Sequence, residues 1–121
     1  MLLVMHSVRK SPIHGMGLFT NEAILAGQVV WRYDPNFDVE IPLSYAEMLP
    51  EPYLTDLKTH AEYKEKEMVF ILGNDGDIFM NHSETPTLID CDKYMIAARN
   101  IDSGEELTCN YASVHVLSFP A

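Results

Sequence analysis

The histidines and cysteines are the side chains in this sequence that most often carry metal or nucleophilic chemistry. No two histidines form a His-Glu-x-x-His pair, and Cys91 and Cys109 lie far apart with no further Cys or His at zinc-ligand spacing. This pattern is not typical of a disulfide scaffold, so we expect two reduced thiols in or near the core. The sequence therefore predicts no metal site. The histidines are His6, His14, His60, His82 and His115.

Two closely spaced glycines, Gly15 and Gly17, mark a turn whose backbone a ligand could approach because no side chain intervenes. The same pair is equally typical of an ordinary hairpin turn. No Gly-x-Ser-x-Gly elbow and no Gly-x-x-x-x-Gly-Lys phosphate loop is present in the sequence. Hydrolase and nucleoside triphosphatase mechanisms therefore lack a starting residue.

Length and charge limit the kinds of partner. The 121 residues suit a single domain, and 18 acidic against 8 basic side chains give a formal net charge of −10. A phosphate backbone would be repelled, so we expect no direct nucleic-acid binding. A basic protein or peptide would be attracted, although the same charge would also serve solubility alone.

The chain shows no sign of a membrane or export segment. No apolar run reaches the roughly 18 residues of a membrane span, and residues 1–5 are too short and too poor in basic residues for a signal peptide. We therefore expect a protein of the cytoplasm, or of a host nucleus if its source is viral or eukaryotic, with no membrane partner.

Short apolar or alternating stretches separated by turn signals predict a mainly β domain, that is, a β-rich α+β fold. The clearest turn signal is Asn74-Asp75-Gly76, which predicts a hairpin between strands at 70–72 and 78–80. Trp31 and Tyr33 lie on a predicted strand and are expected in the core. The predicted strands are 4–8, 16–19, 28–33, 68–72, 87–89, 94–98 and 107–110.

The middle of the chain predicts a small helical insertion at about 43–66. Ser44 and Glu47 have the spacing of a capping box, and Pro50 would end that helix after about two turns. Residues 52–66 then carry apolar side chains at helical spacing. The acidic surface of the insertion is either a solvated face or a docking face for a basic ligand.

Three separated segments carry motifs that occur together in one protein family. The first is KSPIHGMGLF at 10–19, followed by TNEAILAGQVV at 20–30; the second is FMNHSETP at 79–86; the third is ARNIDSGEELTCNY at 98–111. In this order and spacing they resemble the SET domain family of protein lysine methyltransferases, as a minimal single-domain member of microbial or viral type. The resemblance covers about 8–112.

The resemblance implies a fold of short strands in several small sheets, closed by a C-terminal pseudoknot. In the family, the last strand segment passes under an earlier loop, and such threading is rare enough to mark a built site. The crossing would place the Asn-His-Ser segment beside the closing tyrosine, so Asn81 and Tyr111 would become neighbours although 30 residues separate them.

The resemblance also implies a site for S-adenosylmethionine and a catalytic tyrosine. Tyr111 matches the catalytic position, where its hydroxyl would orient the substrate amine. The Asn81 amide would bind the amino acid portion of the cofactor, and the His82 main chain would meet the adenine. The implied cofactor-binding residues are Gly15, Met16, Gly17, Asn81 and His82.

Some positions depart from the family pattern. Glu84 stands where members with a zinc-binding tail have cysteine, and no cysteine triplet follows Tyr111, so no zinc-bearing flank is expected. Cys109 and Asn110 replace the usual Tyr-Asp or similar pair before the tyrosine, and the loss of an aromatic residue there would loosen the lysine channel or the crossing.

Two parts of the lysine channel stay open at this stage. No motif fixes which aromatic residue walls it, and the candidates are Tyr45, Tyr53, Tyr63 and Phe70. The residues after Tyr111, or a second subunit in a homodimer, would complete it. The apolar and aromatic side chains available there are Val114, His115, Val116, Leu117 and Phe119.

The function implied by the resemblance is S-adenosylmethionine-dependent methylation of lysine in a basic protein such as a histone or histone-like protein. The acidic charge fits a cationic peptide as substrate. The alternative is a catalytically weak or inactive module of the same fold, which binds the cofactor or a basic peptide without turnover.

Overall fold

The computed structural model describes residues 1–114 and consists of short strands in three small sheets, so the predicted mainly β fold with several small sheets is confirmed. The strands are β1 (His6–Lys10), β2 (Met16–Thr20), β3 (Val29–Arg32), β4 (Val39–Pro42), β5 (Glu62–Lys64), β6 (Val69–Leu72), β7 (Asn81–His82), β8 (Leu88–Asp90), β9 (Tyr94–Ala97) and β10 (Glu106–Cys109). The helices are α1 (Leu43–Ala46), α2 (Tyr53–His60), a 3-10 helix (Gly76–Phe79) and α3 (Tyr111–Val114).

A four-stranded sheet brings the three motif segments together. Its strand order is β1-β2-β10-β7, with β10 antiparallel to β2 and parallel to β7. In the parallel pair, Asn81 lies opposite Thr108 and His82 lies opposite Cys109. Because Tyr111 follows β10 directly, it lies next to β7, as the predicted crossing requires. The passage of β10 beneath an earlier loop stays a prediction.

The other two sheets enclose the two parts of the core. Their strand orders are β3-β9-β8 and β4-β6-β5. The main core includes Leu18 and Leu107, which are completely buried, and also Trp31, while Tyr33 packs against its edge. A smaller core lies beneath the insertion and consists of Ala46, Leu57, Ala61 and Phe70.

The predicted hairpin at 74–76 is wrong. The residues that follow the turn form the 3-10 helix, and β7 pairs with β10. The physical reason is the Asp75 carboxylate, which accepts hydrogen bonds from the main-chain N–H groups of Asp77 (3.1 Å) and Leu2 (2.9 Å). Asp75 therefore caps a helix instead of forming a tight reversal.

The helices of the insertion are shorter than expected. The second helix ends at His60, and the following Glu62–Lys64 is strand β5, which pairs with β6. The predicted capping box is absent, since α1 begins at Leu43, before Ser44, and has no side-chain cap. The Leu43 N–H instead donates to the main-chain oxygen of Met68 at 2.9 Å.

Both cysteines are free thiols, as expected, with Cys109 buried and Cys91 half-buried. Burial raises the pKa of the Cys109 thiol to about 12, so this group stays protonated near neutral pH.

Within residues 1–114, no helix is long and apolar enough to cross a membrane. Over the same residues, no three His, Cys, Asp or Glu side chains are grouped as metal ligands. The channel candidates His115, Val116, Leu117 and Phe119 lie outside the described residues.

Candidate active site

The Glu106 carboxylate, at the start of β10, joins the three motif segments. It accepts hydrogen bonds from Ser11 Oγ, at 2.8 Å to Oε1 and 2.9 Å to Oε2. It also accepts one from Asn81 Nδ2, at 2.9 Å to Oε2. Hydrogen bonds to a charged acceptor are stronger than neutral ones, so this carboxylate ties the first, second and third segments at one point.

Gly17 makes room for this carboxylate. A Cβ atom at Gly17 would lie 2.5 Å from Glu106 Oε2 and 2.9 Å from Ser11 Cβ, both closer than van der Waals contact allows. The glycine is therefore required by the internal packing of the turn. Gly15 differs, because its φ of +47° favours glycine and the space around its missing Cβ is open.

Asn81 contacts the main chain of the glycine turn through its side chain. Its side chain is buried, and Nδ2 lies within hydrogen-bond distance of the main-chain oxygens of His14 (3.0 Å) and Met16 (3.2 Å) as well as of Glu106. Three oxygens thus surround an amide nitrogen that has two hydrogens. The amide is engaged within the protein, so in this structure Asn81 shapes the turn.

His82 and Tyr111 form a directly bonded pair. The Tyr111 N–H donates to His82 Nδ1 at 3.0 Å, and the two ring centres are 5.2 Å apart. Because Nδ1 accepts this bond, the neutral ring carries its hydrogen on Nε2, which lies 3.0 Å from Glu84 Oε1. Side chains from β7 and the residues after it therefore fix the main chain at Tyr111.

The Tyr111 hydroxyl is held as a neutral phenol. It donates to the main-chain oxygen of Met80 at 2.8 Å, a contact between residues 31 positions apart. Burial raises the pKa of Tyr111 above its ordinary value, so the hydroxyl stays protonated near neutral pH. With its hydrogen directed at Met80, the hydroxyl acts here as a hydrogen-bond donor.

A small cavity of about 50 Å³ lies beside Tyr111. Its apolar walls include Trp31, Met80, Met95 and Cys109. Polar and charged side chains complete the lining, among them His60, Glu62 and Asp77. Cys109 lines this cavity. It stands at the position where the resemblance predicts an aromatic residue.

The aromatic wall of the cavity was missed by the sequence analysis. None of the four candidates Tyr45, Tyr53, Tyr63 and Phe70 lines it in the described part of the chain. Tyr45 and Tyr53 are exposed, and the rings of Tyr63 and Phe70 pack together at 4.9 Å in the smaller core. The aromatic residues that line it are Trp31 and Tyr111, and Trp31 also lies in the main core, as predicted. No local signal shows that its indole reaches across to a carboxylate 46 positions away.

That carboxylate belongs to Asp77, which also lines the cavity. Its Oδ2 accepts a hydrogen bond from Trp31 Nε1 at 2.8 Å, while its buried Oδ1 has no hydrogen-bond partner among the described residues. Burial, together with the neighbouring charge of Asp75, raises the pKa of Asp77 to about 7. The pKa of Asp75 is lowered, since hydrogen bonds from Leu2 and Asp77 outweigh its burial. Asp77 is therefore the member of the pair that takes a proton first.

The sequence matches one family model, and the structure is similar to solved structures of other proteins. The sequence matches the family model described as SET domain over residues 15–112. A Plasmodium falciparum protein described as a candidate histone methyltransferase is similar at 22% identity and a TM-score of 0.62, covering 91% of this chain and 95% of that one. No curated protein sequence matches the chain.

A second similar structure is Polycomb Repressive Complex 2 of Chaetomium thermophilum, in an autoinhibited conformation bound to S-adenosylmethionine. It is 19% identical with a TM-score of 0.72, and the match covers 93% of this chain but only 16% of that one. At these identities the structural likeness shows the fold alone.

Asp77→Asn is expected to raise the melting temperature at pH 8 and to change it little at pH 5. The folded-state pKa of about 7 exceeds the ordinary aspartate value of about 3.9, so folding loses stability as pH rises from about 4 to 7. The amide removes this loss and can still accept the Trp31 hydrogen bond. We expect a gain of at least about 3 °C at pH 8, measured by circular dichroism. Asp56→Asn, at an exposed position, is the control, and an equal gain from Asp77→Asn at both pH values would contradict the assignment.

Proposed function

The chain belongs to the SET domain family, and from that premise we propose that it is a protein lysine methyltransferase that uses S-adenosylmethionine. The observation that carries the proposal is the position of Tyr111. Its hydroxyl donates to the Met80 main-chain oxygen at the cavity, and its N–H donates to His82. The residue before His82, Asn81, contacts the glycine turn through its side chain. A cofactor on the turn and an amine in the cavity would thus meet near one tyrosine.

The turn fits a cofactor of this kind. At Gly15 the backbone faces open space, Met16 is 45% exposed, and the adjoining His82 is partly exposed. Main-chain groups are therefore within reach of a bound molecule. Asn81 would act on the cofactor chiefly through the shape of this turn, since its amide nitrogen is already engaged by three oxygens.

S-adenosylmethionine, when bound, supplies a methyl group attached to a positively charged sulfur. The chain's own task is to present a neutral amine in line with that group and to exclude water. The Tyr111 oxygen can accept an N–H of the amine and so fix the direction of its lone pair. Because burial raises its pKa, the phenol stays protonated near neutral pH and does not act as a base, so we assign Tyr111 to orientation.

The proposed substrate is a lysine in a basic protein, such as a histone or histone-like protein. The net charge of −10 supports this choice, because opposite charge speeds encounter with a cationic segment. The Plasmodium falciparum structure described as a candidate histone methyltransferase is consistent with the same class.

S-adenosylmethionine is expected to bind the purified protein saturably in isothermal titration calorimetry, and Asn81→Ala should weaken binding at least about tenfold, or 1.4 kcal/mol. The variant releases the carbonyl groups of His14 and Met16, so the turn loses its shape. Asn100→Ala is the matched control, since the Asn100 side-chain oxygen accepts from the exposed Ala26 N–H, which lies outside residues 14–17 of the turn. Absence of binding at millimolar cofactor would contradict the proposal.

Tyr111→Phe is expected to lower methyl transfer to core histones by about 100-fold, because the amine loses the group that orients it. The affinity for S-adenosylmethionine should stay within about threefold, or 0.7 kcal/mol, since the cofactor contacts are unchanged. Transfer is measured with radiolabelled S-adenosylmethionine, and Tyr94→Phe, at an exposed tyrosine, serves as control. An unmutated protein that binds the cofactor but transfers nothing would favour the alternative of an inactive binding module.

A further inference from the structure

Two hollows of the molecule meet at Glu62. One is the cavity beside Tyr111, and the other is an open recess of about 330 Å³ on the outer side of β5. Among the described residues, Glu62 alone lines both hollows. The other side chains of the recess are mostly charged, and they include Lys64, Glu65, Glu67, Asp90 and Asp92. Glu62 therefore stands between charged, solvent-facing surface and the apolar cavity.

The Glu62 carboxylate already holds an alkylammonium group. Its Oε1 is paired with Lys64 Nζ, and both side chains are only 12% exposed. Lys64 Nζ also lies 2.8 Å from Asp92 Oδ1 and 2.5 Å from the Asp92 main-chain oxygen. Glu62 thus binds an alkylammonium group in this structure, and Asp92 gives that group a second charged partner.

We propose that Glu62 receives the ammonium group of the substrate lysine at the entrance to the Tyr111 cavity and takes its proton. The assignment rests on the proposed methyltransferase function and names the group that prepares the amine for it. Tyr111 does not suit this step, since its raised pKa keeps the hydroxyl protonated near neutral pH, and a neutral phenol is too weak a base to take a proton from an ammonium group.

The step is a proton transfer. One N–H bond of the ammonium breaks, its electron pair stays on nitrogen, and the proton forms an O–H bond with the Glu62 carboxylate. The products are a neutral amine, whose lone pair is free, and a neutral carboxyl group. The proton then leaves to water through the recess. Lys64 keeps a charged partner throughout, because Asp92 still holds its ammonium group.

The acid–base properties of Glu62 suit this role. Burial raises its pKa to about 7, although the Lys64 ammonium opposes the rise. A proton acceptor works best when its pKa lies near the working pH. The apolar part of the cavity wall, formed by residues such as Trp31, Met80 and Met95, would withdraw the substrate ammonium from water, and this desolvation lowers the pKa of an ammonium group from its ordinary value of about 10.4.

Several other titratable groups face Glu62 and shape its response to pH. Lys64 lies on the same strand as Glu62, Asp90 lies on β8, and Asp92 lies in the turn after β8. Cys109 on β10 interacts with it electrostatically. His60, Asp77 and Tyr111 share the cavity with it. Of these groups, Asp77 is fixed by Trp31 and does not line the recess, so it lacks the route to water that Glu62 has.

The test compares pH profiles of methyl transfer to core histones for the unmutated protein, Glu62→Gln and Glu65→Gln. We expect the unmutated rate to level off above about pH 7. Glu62→Gln should be about 100-fold slower at pH 7 and should gain about tenfold per pH unit as the free amine forms in solution. Glu65→Gln removes a charge from the recess alone, so it should keep the unmutated profile even if its KM rises.

A second readout is independent of turnover. The side-chain carboxyl carbon of Glu62, followed by nuclear magnetic resonance in the free unmutated protein, should titrate with a midpoint near pH 7. A midpoint near the ordinary glutamate value of about 4.3 would overturn the assignment. So would a profile of Glu62→Gln parallel to that of the unmutated protein. An unmutated protein that transfers no methyl group overturns the proposed function itself.

Discussion

The hydrogen bonds of the Glu106 carboxylate are the interaction on which the rest of the site depends. This one group accepts from Ser11 and Asn81 and fills the space that Gly17 leaves open. Removing one partner of a charged hydrogen bond leaves the other unsatisfied, which costs more than the bond itself contributes. The three motif segments are therefore constrained together, and none can move without breaking a bond at Glu106.

The other features of the candidate site are connected to this carboxylate through Asn81 and along β10. Towards the turn, Asn81 extends the network to the carbonyl groups of the loop on which a cofactor would lie. Along β10, the chain continues from Glu106 to Tyr111, whose hydroxyl and N–H are both fixed by residues around β7. Beyond Tyr111, an apolar cavity is bounded by carboxyl groups with raised pKa values. Under the proposed function, the cofactor would lie on the turn and the amine in the cavity, and the Tyr111 phenol would orient the amine.

Much of the fold was predictable because it depends on local patterns. The strands rich in apolar residues and the short helix before His60 were found from periodicity and turn residues. Strands β5 and β7 have only three and two residues, too few to show a pattern, and β4 was missed although its Val39 and Ile41 flank Glu40. The hairpin prediction failed because the Asp75 side chain bonds to Leu2, far away in sequence. The site shows the same division. Tyr111 could be found from its motif, whereas the wall at Trp31 depends on a partner that only the folded chain supplies.

The most direct measurement is a double-mutant cycle on the free energy of unfolding, with Ser11→Ala, Glu106→Gln and the double variant in urea. If the carboxylate couples the segments, the two single changes should be non-additive by at least about 1 kcal/mol, because each alone disrupts the same hydrogen bonds. Additivity within about 0.5 kcal/mol would show that the two residues act independently. That result would contradict the central role given to Glu106.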